Sequence, residues 1–94
     1  MFRVTEKSLL ESLNDKDLFC QQISLLTEDI IDHFYTNWEF RLNKEDLVQD
    51  AVICMVEKAD KFNSTKGKAI NFFATCIMGY LMQFRKRKNE KPMG

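Results

Sequence analysis

Between residues 60 and 88 the chain interleaves rings and cations. Phe62 precedes a stretch holding Lys66 and Lys68. Phe72, Phe73, Tyr80 and Phe84 follow, and the run closes on Arg85-Lys86-Arg87-Lys88. Lysine and arginine neutralise backbone phosphates and release counterions. Aromatic faces stack on bases exposed from a duplex, at roughly 1–3 kcal/mol per base. Together they suit single-stranded or opened DNA better than a plain basic helix would. Rings at helical spacing also suit a hydrophobic core, and in so small a domain some of them must serve it. Nothing else in the chain is equipped for chemistry. There is no Gly-rich phosphate loop and no Ser/His/Asp arrangement, and His33 stands alone as the one histidine. Cys20, Cys54 and Cys76 form no CxxC and have no histidine close by, which argues against zinc. Each lies in an apolar stretch, as a small hydrophobe would. A binding protein without cofactor or metal is expected, not an enzyme.

Ninety-four residues, 45% hydrophobic and 30% charged, describe one globular domain with one modest core. No apolar run approaches membrane-spanning length, and residues 1–7 lack the order of a signal peptide. These features predict a protein of the cytoplasm that makes no membrane contact. The net charge of zero conceals a polarity. Residues 1–57 carry five basic against twelve acidic side chains, net −7, and residues 58–94 carry nine against two, net +7. Such a chain is expected to present two charged faces to different partners.

The elements that position these residues read as helices. Val4 to Leu13 forms a first short helix, with Thr5 and Ser8 making an incomplete capping box. After Asn14-Asp15, the spacing of Leu18, Phe19, Ile23, Leu26, Ile30, Ile31 and Phe34 predicts a helix from Asp17 to about Thr36. Asn37 to Leu42 reads as a connection in which Trp38 and Phe40 cover the edge of the core. Asn43 is a candidate N-cap with acids in the turn that follows. The apolar face from Leu47 to Ala59 carries that helix to about Asp60. Asn63-Ser64-Thr65-Lys66-Gly67 is a loop, and Asn71 is placed to cap a last helix reaching about Lys88. The expected fold is all-α, a single small domain of about four helices around Leu26, Ile30, Phe34, Leu47, Ala51, Met55, Phe72 and Leu81.

Over residues 45–84 an ordered set of short motifs resembles sigma factor region 2. Asp46-Leu47-Val48-Gln49-Asp50 is similar to the family's Asp-Leu-Ile-Gln-Glu motif. Ala59-Asp60-Lys61-Phe62 is similar to its Ala-x-x-Lys-Phe segment with one intervening residue fewer, Lys66-Gly67 to its basic-Gly turn, and Asn71-Phe72-Phe73-Ala74-Thr75 to its Phe-Ser-Thr-Tyr-Ala-Thr helix start. No single piece is specific; the ordered set is. The resemblance divides the chain into an N-terminal extension, 1–16, a region 2-like domain, 17–88, and a frayed tail, 89–94.

The resemblance implies a protein that binds RNA polymerase core and recognises and helps melt an AT-rich minus-ten-like promoter element. Asp46, Gln49 and Asp50 match the surface that docks on the coiled coil of the polymerase β′ subunit, where carboxylates can pair with arginines. Val52 and Val56 lie further along that helix and extend the contact. Phe62, Lys66 and Phe73 match positions around a base flipped from the non-template strand, with Lys68 adding charge in the same basic loop. Tyr80 and Gln83 match positions facing the upstream duplex edge, and glutamine can read adenine bidentately. Arg85, Lys86, Arg87 and Lys88 would hold backbone phosphates.

Two departures qualify the resemblance. Primary family members carry a tryptophan pair where this chain has Cys76-Ile77, and neither residue can wedge against a base pair. Melting then falls to Phe73 and Tyr80 or to other proteins. Sigma regions 3 and 4 are also missing. Late sigma factors of T-even-type phages share that reduction and a similar basic ending, and they work with a coactivator and a sliding clamp in the bacterial host cytoplasm. No acidic-hydrophobic clamp-binding tail follows Lys91. Two other readings stand beside this one. One is a polymerase-binding inhibitor or anti-sigma-like regulator that does not read DNA. The other is a helical DNA-binding module with no polymerase contact.

Overall fold

A computed structural model describes residues 2–35, 38–63, 65 and 67–89, with side chains as far as Phe84. Among the described residues there are five helices and no strand: α1 (Glu6–Ser12), α2 (Lys16–Phe34), α3 (Trp38–Leu42), α4 (Lys44–Ala59) and α5 (Ala69–Asn89). The fold is all-α, with one helix more than the periodicity predicts. The addition is α3, in the stretch expected to be a connection. Phe40 anchors it in the core, while Trp38 remains 71% exposed.

Local chemistry sets the helix starts. The capping box at α1 is complete, because serine serves where glutamate is usual. Thr5 Oγ1 accepts from the Ser8 amide at 3.1 Å, and Ser8 Oγ accepts from the Thr5 amide at 3.1 Å. Asp15 caps α2 by accepting from the amides of Asp17 and Leu18. Asn43 precedes α4 but makes no side-chain cap, since its amide group donates to the Glu39 carbonyl at 2.8 Å and closes α3. Glu45 and Asp46 in the first turn of α4 complement its positive end. Asn71 does not cap the last helix either, which begins two residues earlier.

Helix α2 is the hub. It packs most extensively on α4 and also contacts α1 and α5. Phe19, Ile23, Leu26, Ile30 and Ile31 of α2 meet Leu47, Val48, Ala51 and Met55 of α4 and Phe73, Ile77 and Leu81 of α5. Burying a side chain of this size stabilises by about 1.5–3 kcal/mol. Phe34 departs from the expected core. It ends α2 with 61% of its surface exposed, its ring edge-on to Phe2 at 6.4 Å. Phe72 is only half-buried. Within the first sixteen residues, Val4 and Leu9 are buried in the same core. Arg3 also reaches the nearly buried Asp29, donating to its carboxylate from the backbone at 2.7 Å and from Nε at 2.9 Å. Hydrogen bonds to Glu28 and then Asp29 raise the pKa of that guanidinium above its ordinary value. The expected tail, 89–94, lies outside the described residues except for the backbone of Asn89.

No helix among the described residues is long and apolar enough to cross a membrane. Cys20, Cys54 and Cys76 are half-buried free thiols.

Candidate nucleic-acid interface

Helix α4 ends in a short turn, with the Lys61 and Phe62 amides bonded to the carbonyls of Lys58 and Ala59. Asn63 Oδ1 then accepts from the Thr65 amide at 2.9 Å and from its hydroxyl at 2.6 Å, which folds the chain back toward α5. The return leaves a cleft of about 660 Å³. Lys61, Phe62 and Asn63 form one wall, Gly67 and Lys68 the rim, and Asn71, Phe72, Thr75 and Cys76 of α5 the other wall. The rings of Phe62 and Phe72 stand 5.3 Å apart and tilted by 48°. Two half-buried aromatic rings beside exposed lysines offer an apolar surface with a positive margin. That chemistry suits an unstacked base joined to its phosphate.

The expected residues divide on inspection. Phe62 and Lys68 line the cleft. Phe73 does not. It is fully buried, edge-on to Phe19 at 5.3 Å and to Phe72 at 5.0 Å. The cause is helical register. Ala69, Phe73, Ile77 and Leu81 recur every fourth residue and are all wholly buried, so this row is the core face of α5. Phe72 lies one residue, about 100° of rotation, away from that row and takes the place at the cleft. Lys61, Asn71 and Thr75 are cleft residues that the sequence reading missed; Lys61 adjoins Phe62 within a motif it did single out. Lys66 lies outside the described residues, as do the side chains of Arg85, Lys86, Arg87 and Lys88.

From Cys76 at the cleft wall, Gly79 and Gln83 continue the outer face of α5 by their spacing. Gly79 and Gln83 are exposed, and Cys76 is half-buried. Tyr80 lies between this face and α4. Its hydroxyl donates to Asp50 Oδ2 at 3.0 Å.

On α4, Asp46, Gln49, Asp50 and Glu57 are exposed along one side of the helix. Val52 and Val56 are half-buried and pack against the core. The apolar side chain that stands among the acids is Ile53, 60% exposed. The sequence reading missed it, although its spacing of three and four residues from Asp50 and Gln49 places it on their face. At the start of the same helix, Lys44 Nζ donates to Asp32 Oδ1 at 2.9 Å. This hydrogen bond, outweighing burial, holds the Asp32 carboxyl below its ordinary value.

Residues 30–91 match the family model of sigma-70 region 2, and this span holds the whole cleft and the whole acidic face of α4. The chain belongs to the sigma-70 region 2 family. No curated protein and no solved structure matches it. Membership in sigma-70 region 2 suggests a sigma-factor-like role in RNA polymerase binding and promoter recognition. The sigma-70 region 2 match begins near the end of α2, so α1 and most of α2 precede it.

Proposed function

We propose that this chain is a sigma factor of the phage late type, which binds bacterial RNA polymerase core and recognises and helps open an AT-rich minus-ten-like element. The observation that carries this reading is the pairing of two surfaces on helices that share one core. The cleft between Phe62 and Phe72 has the ring and charge composition for an extruded base. The exposed acids of α4, with Ile53 among them, have the composition for a basic helical partner such as the β′ coiled coil. Arg85 to Lys88 add phosphate affinity without sequence information. The chain itself catalyses nothing; the polymerase makes the RNA. In this reading a coactivator and a sliding clamp of the phage add promoter contacts of their own, in the cytoplasm of the bacterial host.

Run-off transcription with purified bacterial core polymerase, on templates randomised in an AT-rich upstream window, tests the reading. An enriched motif, with product lost on Phe72→Ala or on reversing the charges of Asp46 and Asp50, is the expected result. A chain that fails to bind core polymerase sinks it.

One observation favours a second reading, a polymerase-binding inhibitor. Cys76 is half-buried and Ile77 wholly buried, and neither side chain carries a ring that could stack at the upstream edge of a melted bubble. Under this reading the chain binds core polymerase tightly and yields no specific start, with coactivator or without.

A further inference from the structure

Among the described residues, no side chain near α5 in sequence caps its start. Lys68 occupies the position before it, Asn71 lies within its first turn, and its first internal hydrogen bond runs from the Phe72 amide to the Lys68 carbonyl at 3.1 Å. The leading amides of a helix need acceptors. Here they are supplied from the opposite end of the sequence. Glu6 Oε2 accepts from the Ala69 amide at 2.8 Å, and Glu6 Oε1 accepts from the Ile70 amide at 2.7 Å.

We propose that Glu6, which lies outside the sigma-70 region 2 match, is a positioning residue for the nucleic-acid cleft, holding the start of α5 so that Lys68, Asn71 and Phe72 face it. The inference rests on the reading of that cleft as the promoter-binding site. Glu6 is suited to the task because α1 is itself fixed. Leu9 is fully buried, and Ser8 Oγ donates to Gln22 Oε1 of α2 at 2.9 Å. The carboxylate also fills the place where a helix start would otherwise attract a phosphate. A DNA phosphate entering the cleft is therefore left to Lys61 and Lys68. The segment that the family match omits thus becomes part of the DNA-binding apparatus.

The test uses holoenzyme reconstituted from core polymerase and the full chain. The probe is a promoter fragment, selected by the transcription screen, that carries 2-aminopurine in the non-template strand of the minus-ten-like element. Glu6→Ala should lower the affinity for opened DNA by about tenfold, the scale of a lost helix cap. Affinity for core polymerase should stay within about twofold, as expected for a site remote from the change. Glu6→Gln keeps one acceptor oxygen and should recover part of the loss. Amide hydrogen exchange in the free chain should quicken at residues 69–72 in Glu6→Ala. Ser12→Ala, which alters a buried part of α1 away from the cleft, serves as the stability control and should open DNA like the parent.

The proposal is overturned if Glu6→Ala opens DNA as the parent does, or if exchange at residues 69–72 is unchanged. It is overturned equally if DNA and polymerase binding fall together in step with thermal stability, as in an ordinary destabilised variant. Absence of opening by the parent holoenzyme defeats the promoter reading and this inference with it. Normal opening by both parent and Glu6→Ala defeats the inference alone.

Discussion

The Tyr80 hydroxyl on α5 donates a hydrogen bond to Asp50 Oδ2 on α4 at 3.0 Å, so a residue assigned to the DNA edge is tied to one assigned to the polymerase face. A double-mutant cycle of Tyr80→Phe and Asp50→Ala in the free chain, read by urea unfolding, is expected to give a coupling of about 0.5–1.5 kcal/mol. Core polymerase would compete for the Asp50 carboxylate. Tyr80→Phe alone should therefore leave polymerase affinity intact or slightly raised. A drop in that affinity would show that the phenol itself belongs to the docking face.

Phe72 and Phe73 are adjacent and should fail differently. Phe73→Ala empties a fully buried site and should cost about 3–5 kcal/mol, a large part of the stability of a small domain. Phe72→Ala removes a half-buried ring from the cleft. It should cost less in urea unfolding yet weaken binding of the opened strand by about 1–3 kcal/mol, the value of one stacked base. Equal loss of stability in the two variants would contradict the register described for α5.

Ile53 separates docking from folding. As an exposed residue it should tolerate Ile53→Ser with unfolding free energy changed by about 0.5 kcal/mol or less. Affinity for core polymerase, measured by fluorescence anisotropy, should fall by about 1–2 kcal/mol if it is the apolar centre of the contact. Unchanged affinity would move the docking surface elsewhere.

The pair of Asp32 and Lys44 predicts a small acid-sensitive contribution to stability. Asp32 titrates below its ordinary value in the folded chain because Lys44 donates to it. The stabilisation is present above the unfolded-state value and is lost as pH falls through the lower, folded one. Lys44→Met should return Asp32 to the ordinary range in an NMR titration and flatten the acid limb of the stability curve. Both side chains are substantially exposed, so the effect should be about 0.5 kcal/mol or less. A titration curve unaltered by the substitution would remove Lys44 as the cause.

Much of this architecture was legible because α2, α4 and α5 carry long periodic stripes. Ile23, Leu26 and Ile30 could be recognised as core from spacing alone, as could Leu47, Ala51 and Met55. Spacing failed at element ends. Phe34 continues the stripe of α2, but the helix stops there and the ring leans on Phe2 instead of the core. Helix α3 is five residues long and too short to show a period. For Phe72 and Phe73 a signal existed. Ala69, Phe73, Ile77 and Leu81 form a row of four-residue steps, and two neighbouring rings cannot both lie on it. The bond from Glu6 to α5 had no comparable signal, since its partners stand 63 and 64 residues apart and follow no local pattern.

That separation bears on the order in which the chain assembles. Closing a flexible loop of this length carries an entropic cost that grows slowly with its size, and distant contacts slow the search for the native topology. Yet α1 need not wait for α5. Leu9 and the Ser8 bond to Gln22 bind α1 to its sequence neighbour α2, a connection of few residues. If that short hairpin of helices forms first, the Glu6 carboxylate stands where α5 is to begin. The arriving strand of chain from residue 67 onward meets a ready template on which to start its first turn. The N-terminal helix would then nucleate the last helix during folding, a scaffold laid down early for an element completed late.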